Sequence, residues 1–155
     1  MTAEQRITEL GLHLPPAAAG SSSRVASVRT GNLLYTSGHG PAARDDGSIL
    51  SGKVGTDLTL EQGYEAGRLT GLAILGTVRE ALGSLDRVSR VVKVLGMVNC
   101  APGMNQTSRV VDGCSDLLVE VFGPEIGRHA RSAVGVFELP LDFPVEVEVI
   151  LEVRD

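Results

Sequence analysis

The side chains that could carry out chemistry in this sequence include one histidine and two thiols. His39 stands between two glycines, and an imidazole that titrates near neutrality can act as a general acid or base. The same setting is also typical of an ordinary histidine in an exposed loop. Cys100 and Cys114 could act as nucleophiles, but their spacing fits neither a disulfide framework nor a metal site. Two reduced, partly buried thiols are the simpler interpretation.

Two more candidates, Arg131 and Glu146, lie near the C-terminal end of the sequence. From Val145 to Val149 apolar residues alternate with Glu146 and Glu148, and the pattern resumes from Leu151 to Val153. This period of two predicts a strand with one face packed and one face in water. The alternation alone makes Glu146 a solvated strand residue. Arg131 could be a surface or interface arginine paired with a glutamate, or it could bind an anion. The neighbouring His129 would then only tune the local charge.

The segment before this last strand predicts how the two candidates are placed. Residues 132–137 are strand-like, and Pro140 and Pro144 place a turn after them, because proline cannot donate in a central ladder. We therefore predict a β-hairpin with Arg131 at its entry and Glu146 on its second arm. Along such a hairpin the two side chains lie roughly 13 to 16 Å apart. A site that they share is therefore expected between two chains.

The rest of the sequence predicts an α+β domain, in which two helices cover one face of a mixed sheet of about six strands. Periodicity and capping signals predict a short helix at 2–10, a loop at 17–23, strands at 24–28, 33–37, 49–54 and 87–99, and helices at 59–83 and 108–122. The glycines of the first long helix indicate close approach to the sheet. The helix-free face is expected to carry valine and leucine, and oligomerisation is expected to cover it.

Length, composition and charge restrict the class of protein. The chain has 155 residues, 43% of them hydrophobic and 21% charged. These values predict one globular domain over residues 1–155, with residues 1–23 as an N-terminal extension. The net charge of −5 and the lack of a basic run disfavour a nucleic-acid partner. No signal-peptide core or membrane-spanning apolar run is present, so we expect a cytoplasmic protein without a membrane partner.

Two blocks of the sequence resemble the RidA/YjgF/UK114 family. The first, from Gly31 to His39, reads G-N-L-L-Y-T-S-G-H where the family has G-N-x-[VIL]-[YF]-x-S-G-Q. The second, from Ala130 to Pro140, reads A-R-S-A-V-G-V-F-E-L-P and is followed by V-E-V-E at Val145–Glu148. The family has A-R-S-x-V-x-V-x-x-L-P and then [VI]-E-[VI]-E at the same spacing. The resemblance covers about residues 24 to 153.

The resemblance implies a chorismate-mutase-like domain that forms a homotrimer, with the inner sheets as a barrel and clefts between subunits. It implies hydrolysis of reactive enamine or imine intermediates to 2-keto acids, with release of ammonia. By position, Arg131 would hold the substrate carboxylate, because a planar guanidinium meets both oxygens, and Glu146 would position or activate water. Ser37, Gly38 and the backbone near Ala133 would line the cleft. Neither a metal nor an organic cofactor is implied.

The sequence departs from the family pattern at three positions, which marks a divergent subgroup. Arg24 stands where the family often has a tyrosine, His39 replaces a glutamine, and Ala133 replaces a frequent cysteine. By its position, Arg24 joins the residues expected to bind the substrate. The missing tyrosine favours an alternative function, in which the cleft binds a small carboxylate metabolite without turnover. A third function, that of a ribonuclease or translation inhibitor, is disfavoured by the acidic charge and the scarcity of aromatic stacking platforms.

Overall fold

Five strands and three helices form the chain, and the computed structural model describes all 155 residues. In chain order the elements are α1 (Ala3–Glu9), β1 (Ser27–Thr30), β2 (Leu33–Thr36), α2 (Leu60–Leu82), β3 (Val88–Asn99), α3 (Thr107–Gly127), β4 (Ala130–Val136) and β5 (Val145–Val153). The predicted α+β class is confirmed. The sheet has five strands, fewer than the six or so that the sequence predicted.

The sheet is mixed, and its strand order is β1-β2-β5-β3-β4. The pair of β3 and β4 is parallel, and the other neighbours are antiparallel. Alternate residues of β5, from Val145 to Val153, are buried and join side chains of α2 and α3 in one core. The prediction that both long helices cover one face of the sheet is therefore confirmed.

Local signals in the sequence define the ends of α2 and α3. Before α2, the side chain of Thr59 accepts from the backbone N–H of Gln62, and the Gln62 side chain accepts from the N–H of Thr59, which is the predicted capping box. Gly83 ends α2 in a left-handed conformation with φ of 79°. The helix predicted at 108–122 is interrupted at Gly123, where φ is 78°, but further helical residues follow up to Gly127.

The glycines of α2 serve a different contact from the one predicted. A Cβ at Gly67 would lie 2.2 Å from the backbone oxygen of Val110 in α3. Likewise, a Cβ at Gly113 of α3 would lie 2.0 Å from the backbone oxygen of Tyr64 in α2. The close approach is thus between the two helices, and the expectation that these glycines face the sheet is wrong.

The predicted hairpin between the last two strands is also wrong. β4 pairs in parallel with β3, and β5 pairs with the opposite edge of β3. The connection crosses the end of β3, where Asn99 donates its N–H to the Pro144 carbonyl at 3.0 Å and its side chain to Asp142 Oδ1 at 3.1 Å. Asp142 and Leu141 both have left-handed φ values, of 55° and 57°. This bent path carries the chain over a neighbouring strand instead of reversing it.

Of two further elements predicted before α2, one is absent from the structure and one is present. The strand predicted at 49–54 does not form, because Gly52 has φ of 109° and donates its N–H to the Asp142 carbonyl. The predicted N-terminal helix is confirmed as α1, with Thr2 as its capping residue. The following segment lies against α2, where a Cβ at Gly76 would meet the Pro15 oxygen at 2.1 Å.

The face of the sheet that the helices leave uncovered carries apolar side chains. Tyr35 aligns with Ile150 of β5 and with Val28 of β1, and cross-strand partners point to the same face. Val134 of β4 shares this face through its alignment with Met97. Exposed fractions are 55% for Val28, 39% for Tyr35 and 45% for Val134. The expectation of an exposed apolar face is confirmed, with tyrosine and methionine among the side chains.

Candidate functional site

A cavity of about 520 Å³ opens beside the start of β5. The segment that follows β2, a stretch of the N-terminal loop, the middle of α2 and the connection before β5 form its wall. The lining residues are Ala18, Arg24, Ser37, Gly38, His39, Gly40, Pro41, Ala73, Pro140, Phe143 and Glu146. Five residues predicted from the sequence are therefore brought together here, namely Arg24, Ser37, Gly38, His39 and Glu146.

Glu146 presents the only carboxylate among the residues that line this cavity. Its side chain is partly buried, and no hydrogen bond holds it. Burial raises the pKa of Glu146, the charge of Glu148 raises it further, and the charge of Arg24 opposes both. Glu146 is thus a half-buried strand residue at the cavity wall, less exposed than the alternation alone indicated. A carboxylate with a raised pKa and no bound donor is well suited to accept a proton from water.

Because Gly38 has no side chain, there is space beside it for the Glu146 carboxylate. A Cβ at Gly38 would lie 2.7 Å from the Glu146 Cδ and 2.8 Å from its Oε1. Any larger residue at this position would displace the carboxylate from the cavity wall. Ser37, one residue earlier, is fixed by its hydroxyl, which donates to the Val25 carbonyl at 2.6 Å.

His39 is only 3% exposed, so the interpretation as an exposed loop histidine is wrong. Burial is the main cause that lowers the pKa of His39; the hydrogen bond to the Ser37 carbonyl opposes it, and the charge of Arg24 adds to it. The ring is therefore neutral near pH 7. Nδ1 lies 2.6 Å from the Ser37 carbonyl and therefore carries the proton. Nε2 then accepts from the Thr77 hydroxyl at 2.8 Å, which itself accepts from the Ala18 N–H. The ring thus links the cavity wall to α2, and a part in proton transfer stays a prediction.

Arg24 brings the only guanidinium to the cavity wall. Its Nη2 donates to the Ala19 carbonyl at 3.1 Å, and its charge acts on the carboxyl of Glu146 and the ring of His39. The side chain is exposed at the mouth of the cavity. The expectation that this position contributes to binding remains a prediction, now supported by its place on the wall.

Arg131 and Ala133 lie elsewhere, on the helix-facing side of β4. Arg131 aligns with Val94 and through it with Val149, three positions from Glu146 and two strands away. The Cα atoms of Arg131 and Glu146 are therefore about 14 Å apart, with their side chains on opposite faces. Within one chain the two groups do not meet, as the sequence predicted, although the predicted hairpin register was wrong. The Ala133 carbonyl accepts from the Thr107 hydroxyl at 3.2 Å.

The side chain of Arg131 is engaged by α3. Its Nη1 donates to Asp112 Oδ1 at 2.8 Å and to Ser115 Oγ at 3.1 Å, so the ion pair is with an aspartate and not with a glutamate. His129 shares this cluster, since its Nε2 lies 2.9 Å from Ser115 Oγ and its Nδ1 lies 2.6 Å from the Gly127 carbonyl. Burial lowers the pKa of His129, and the charge of Arg131 lowers it further. Near pH 7 the His129 ring is therefore neutral and adds no positive charge to the ion pair of Arg131 and Asp112.

Comparison with known proteins identifies the family. A family model described as "YjgF/chorismate_mutase-like, putative endoribonuclease" matches residues 4–152. The chain belongs to this family. It is 42% identical over 149 residues to Protein TCP17 of Trypanosoma cruzi, which covers 96% of this chain and 92% of that protein. The resemblance recognised in the two sequence blocks, and with it the chorismate-mutase-like class, is confirmed.

Two solved structures extend the comparison with the YjgF family. Atu1372 of Agrobacterium tumefaciens, a protein of unknown function, is 38% identical with a TM-score of 0.87, over 98% of this chain and 92% of that chain. A Shewanella oneidensis protein described as a "putative endoribonuclease" is 33% identical with a TM-score of 0.91, over 99% and 100% of the two chains. The fold is therefore shared almost completely with these relatives.

Sequence reasoning missed the apolar part of this YjgF-family cavity. Phe143 was assigned only to a turn, yet its ring forms one wall, and a Cβ at Gly40 would lie 2.4 Å from that ring. Ala18 and Ala73 line the cavity from the N-terminal loop and from α2. The only signal in the sequence was an aromatic residue inside an irregular connection, which is too weak to predict a wall.

The two cysteines lie outside the cavity. Cys114 is fully buried on α3, and burial raises the pKa of its thiol to about 12. It is therefore a small core residue and not a nucleophile. Cys100 is partly buried and free, and a Cβ at Gly135 would meet its sulfur at 2.8 Å. No helix of the chain combines the length and apolar character that a membrane span requires.

Proposed function

We propose that this protein hydrolyses small enamine or imine intermediates to 2-keto acids and releases ammonia. The observation that carries the proposal is the Glu146 carboxylate, which faces the cavity with a raised pKa and without a hydrogen-bond donor. The resemblance to the YjgF family supports the same reaction class, since the V-E-V-E block matches Glu146 to the family glutamate associated with water. The other residues proposed to contact the substrate are those that line the cavity.

The proposed step needs only water and one carboxylate. Glu146 takes a proton from water while the water oxygen bonds to the imine carbon, and it then returns that proton to the nitrogen. The resulting carbinolamine loses ammonia when its C–N bond breaks and its hydroxyl proton moves to the leaving nitrogen. A 2-keto acid remains. An enamine enters the same sequence after it tautomerises to the imine.

The substrate carboxylate needs a cation, and family position assigns that role to Arg131. Because Arg131 and Glu146 lie on opposite faces of the sheet within one chain, they can share a substrate only if Arg131 comes from a neighbouring copy. We therefore propose a homotrimer with clefts between copies, in keeping with the uncovered apolar face. Arg24 is the second candidate cation, and it already lines the cavity.

The test of the reaction is the substitution Glu146→Gln, which removes the base and keeps the shape. An amino-acid oxidase generates the imine in place, and ammonia and 2-keto acid are followed over time. We expect the rate enhancement of the variant to fall by about 100-fold or more. Glu148→Gln, on the same strand but exposed, is the matched control and should keep the activity within about threefold. Equal rates for Glu146→Gln and the unchanged protein would remove the proposal.

A second candidate function is binding of a small carboxylate metabolite without turnover. The observation that favours it is Arg24 at the position where the family often has a tyrosine. Calorimetric binding of 2-keto acids, with no acceleration of imine hydrolysis, would select this function over the first.

Endoribonuclease activity, which the family description and the Shewanella relative name, has less support here. The net charge is −5, and Phe143 is the only aromatic residue on the cavity wall except for the buried His39 ring. A groove that binds single-stranded RNA ordinarily combines positive charge with several stacking rings. RNA cleavage by highly purified protein, abolished by Glu146→Gln, would be needed to revive it.

A further inference from the structure

Thr77, a buried threonine of α2, is bonded to two of the segments that form the cavity wall. It is only 1% exposed, and it is not among the residues that line the cavity. Its hydroxyl oxygen lies 2.8 Å from Nε2 of His39 and 3.2 Å from the backbone nitrogen of Ala18. One oxygen atom of α2 therefore joins the segment that follows β2 to the N-terminal loop.

The other buried threonine of α2 behaves differently. Thr70 donates its hydroxyl to the Ala66 carbonyl, four residues earlier in the same helix, at 2.8 Å. This is the ordinary hydrogen bond of a threonine inside a helix. The Thr77 hydroxyl instead forms hydrogen bonds with groups outside its helix, so its contacts serve the packing of the wall and not the helix itself.

The hydrogen bonds through the His39 ring have a defined direction. The Ser37 carbonyl can only accept, so Nδ1 of the ring carries the proton and Nε2 is an acceptor. The Thr77 hydroxyl must then donate to Nε2, while its oxygen accepts from the Ala18 N–H. A hydroxyl can donate and accept at the same time, whereas a valine side chain of the same shape can do neither.

The position of His39 determines the space around the proposed base. The His39 N–H donates to the Val147 carbonyl at 2.9 Å, and the His39 carbonyl accepts from the Val147 N–H at 3.0 Å. The backbone of His39 is thus paired with the residue that follows Glu146. Gly38, immediately before His39, lies against the Glu146 carboxylate, where a Cβ would come within 2.7 Å of it. A displaced ring would therefore change the space that holds this carboxylate.

The same hydroxyl also anchors the loop that forms another part of the wall. The Ala17 N–H donates to Glu80 Oε2 at 3.3 Å, in the next turn of α2. Ala18 itself lines the cavity and is held on the helix by Thr77. Loss of the hydroxyl would therefore loosen two sides of the cavity together.

On the basis of the proposed function, we infer that Thr77 is a positioning residue for Glu146 and that it acts through His39. The Thr77 hydroxyl holds the neutral ring, the ring holds the backbone at Ser37 and Gly38, and this backbone sets the place of the carboxylate that activates water. His39 then contributes through its hydrogen bonds and does not transfer a proton to the substrate.

The test compares Thr77→Val, which removes the hydroxyl and keeps the shape, with Thr77→Ser, which keeps the hydroxyl. In the imine assay we expect Thr77→Val to lower kcat about 10-fold or more and Thr77→Ser to stay within about threefold of the unchanged protein. Thr70→Val is the matched control, because its hydrogen bond stays within α2, and it should also keep kcat within about threefold. Thr77→Ala takes the place of the valine variant if that variant does not fold. Equal kcat values for the valine and serine variants of Thr77 would overturn the inference.

Two variants of His39 separate positioning from proton transfer. The side-chain amide of asparagine can donate to the Ser37 carbonyl as Nδ1 does, but it does not take up a proton near neutral pH. We expect His39→Asn to retain about 10-fold more activity than His39→Ala. An equal loss in both variants would contradict the inference and assign proton transfer to the ring.

A titration without substrate separates this inference from the proposed reaction. Because burial raises the pKa of Glu146, displacement of the wall in Thr77→Val should expose the carboxyl group and lower its pKa towards the ordinary 4.5. The pKa of Glu146 should stay raised in Thr77→Ser. Carbon-13 NMR of the Glu146 carboxyl group measures both variants. An unchanged pKa in Thr77→Val would remove the positioning role and leave the reaction standing. The expected fall in a protein that hydrolyses no imine would support the positioning role and remove the reaction.

Discussion

At the residue scale, Glu146 shows how burial and neighbouring charge act together on one carboxyl group. Burial is the largest cause of its raised pKa, and Glu148 adds repulsion from the same strand. Arg24 acts in the opposite direction. The ionised form, which a base requires, is therefore disfavoured by the cavity but not abolished. A proposed base in this state binds a proton more readily than a glutamate in water.

The first prediction concerns the dependence of activity on pH. Since the pKa of Glu146 is raised, kcat/KM should fall on acidification at a pH above the value of 4.5 for an ordinary glutamate. Glu148→Gln removes the repulsion, lowers the pKa of Glu146, and should move this fall to lower pH. Rate profiles over roughly pH 4 to 8 measure both effects. A fall that moves to higher pH in Glu148→Gln would contradict the assignment of Glu146 as the base.

The sequence located Glu146 by its place in an alternating strand, but it could not show that this particular glutamate is partly buried. Alternation divides residues between two faces, and the cavity arises from a segment far away in sequence, Gly38 to Pro41, that lies against the end of the strand. For His39 the flanking glycines left open whether the ring is catalytic or exposed in a loop. The ring is instead enclosed by Thr77 from α2, a contact that no local pattern contains.

At the scale of elements, the contact between α2 and α3 depends on glycines that face backbone atoms of the other helix. Gly67 and Gly113 both meet carbonyl oxygens, which cannot move without disturbing the helix to which they belong. Gly71 of α2 instead meets the Leu117 side chain, whose Cδ2 would lie 2.8 Å from an added Cβ. The same substitution should therefore have different effects at different positions of one helix.

The second prediction follows from this difference. Gly67→Ala should lower the free energy of unfolding by at least about 2 kcal/mol, because a backbone oxygen blocks the methyl group. Gly71→Ala should cost less, since a leucine side chain can rotate and alanine favours the helix by up to about 1 kcal/mol. Urea unfolding of the two variants measures the difference. A larger loss in Gly71→Ala than in Gly67→Ala would show that the helices adjust their separation.

The helices and all the strands except the one expected at 49–54 followed from the sequence, whereas the pairing of the last two strands did not. Caps at Thr59 and Gly83 and the alternation in β5 are local signals, and each of them was interpreted correctly. The partner of a strand depends on the path of the connection. Here that path includes Leu141 and Asp142 in left-handed conformations, and leucine is a residue type in which such a conformation is not expected.

At the scale of the whole molecule, one face of the sheet is covered by helices and the other by nothing within the chain. Val28, Tyr35 and Val134 are partly exposed on that second face. Val28 and Tyr35 are cross-strand neighbours, and Val134 lies at the opposite edge of the sheet. Exposed apolar side chains on a sheet face that no helix covers indicate an interaction surface. A closed symmetric assembly of copies would bury them.

The third prediction is therefore a homotrimer. Sedimentation equilibrium should give about three times the chain mass of 16.2 kDa. Val134→Asp places a charge on the apolar face and should shift the mass towards that of one chain. Glu125→Lys changes an exposed residue on the helical side of the molecule and should leave the mass unchanged. A mass of one chain for the unchanged protein would contradict the assembly.

The loop before β1 is a part of the chain where substitutions can change the cavity without changing the sheet. Ala18 and Arg24 belong to a stretch that contributes no strand to the sheet, yet they form part of the wall. Replacements there can alter the charge and width of the opening without repacking the interior. Proteins that evolve from one ancestral chain can therefore acquire different substrates through substitutions in this short N-terminal loop, while the hydrophobic core stays unchanged.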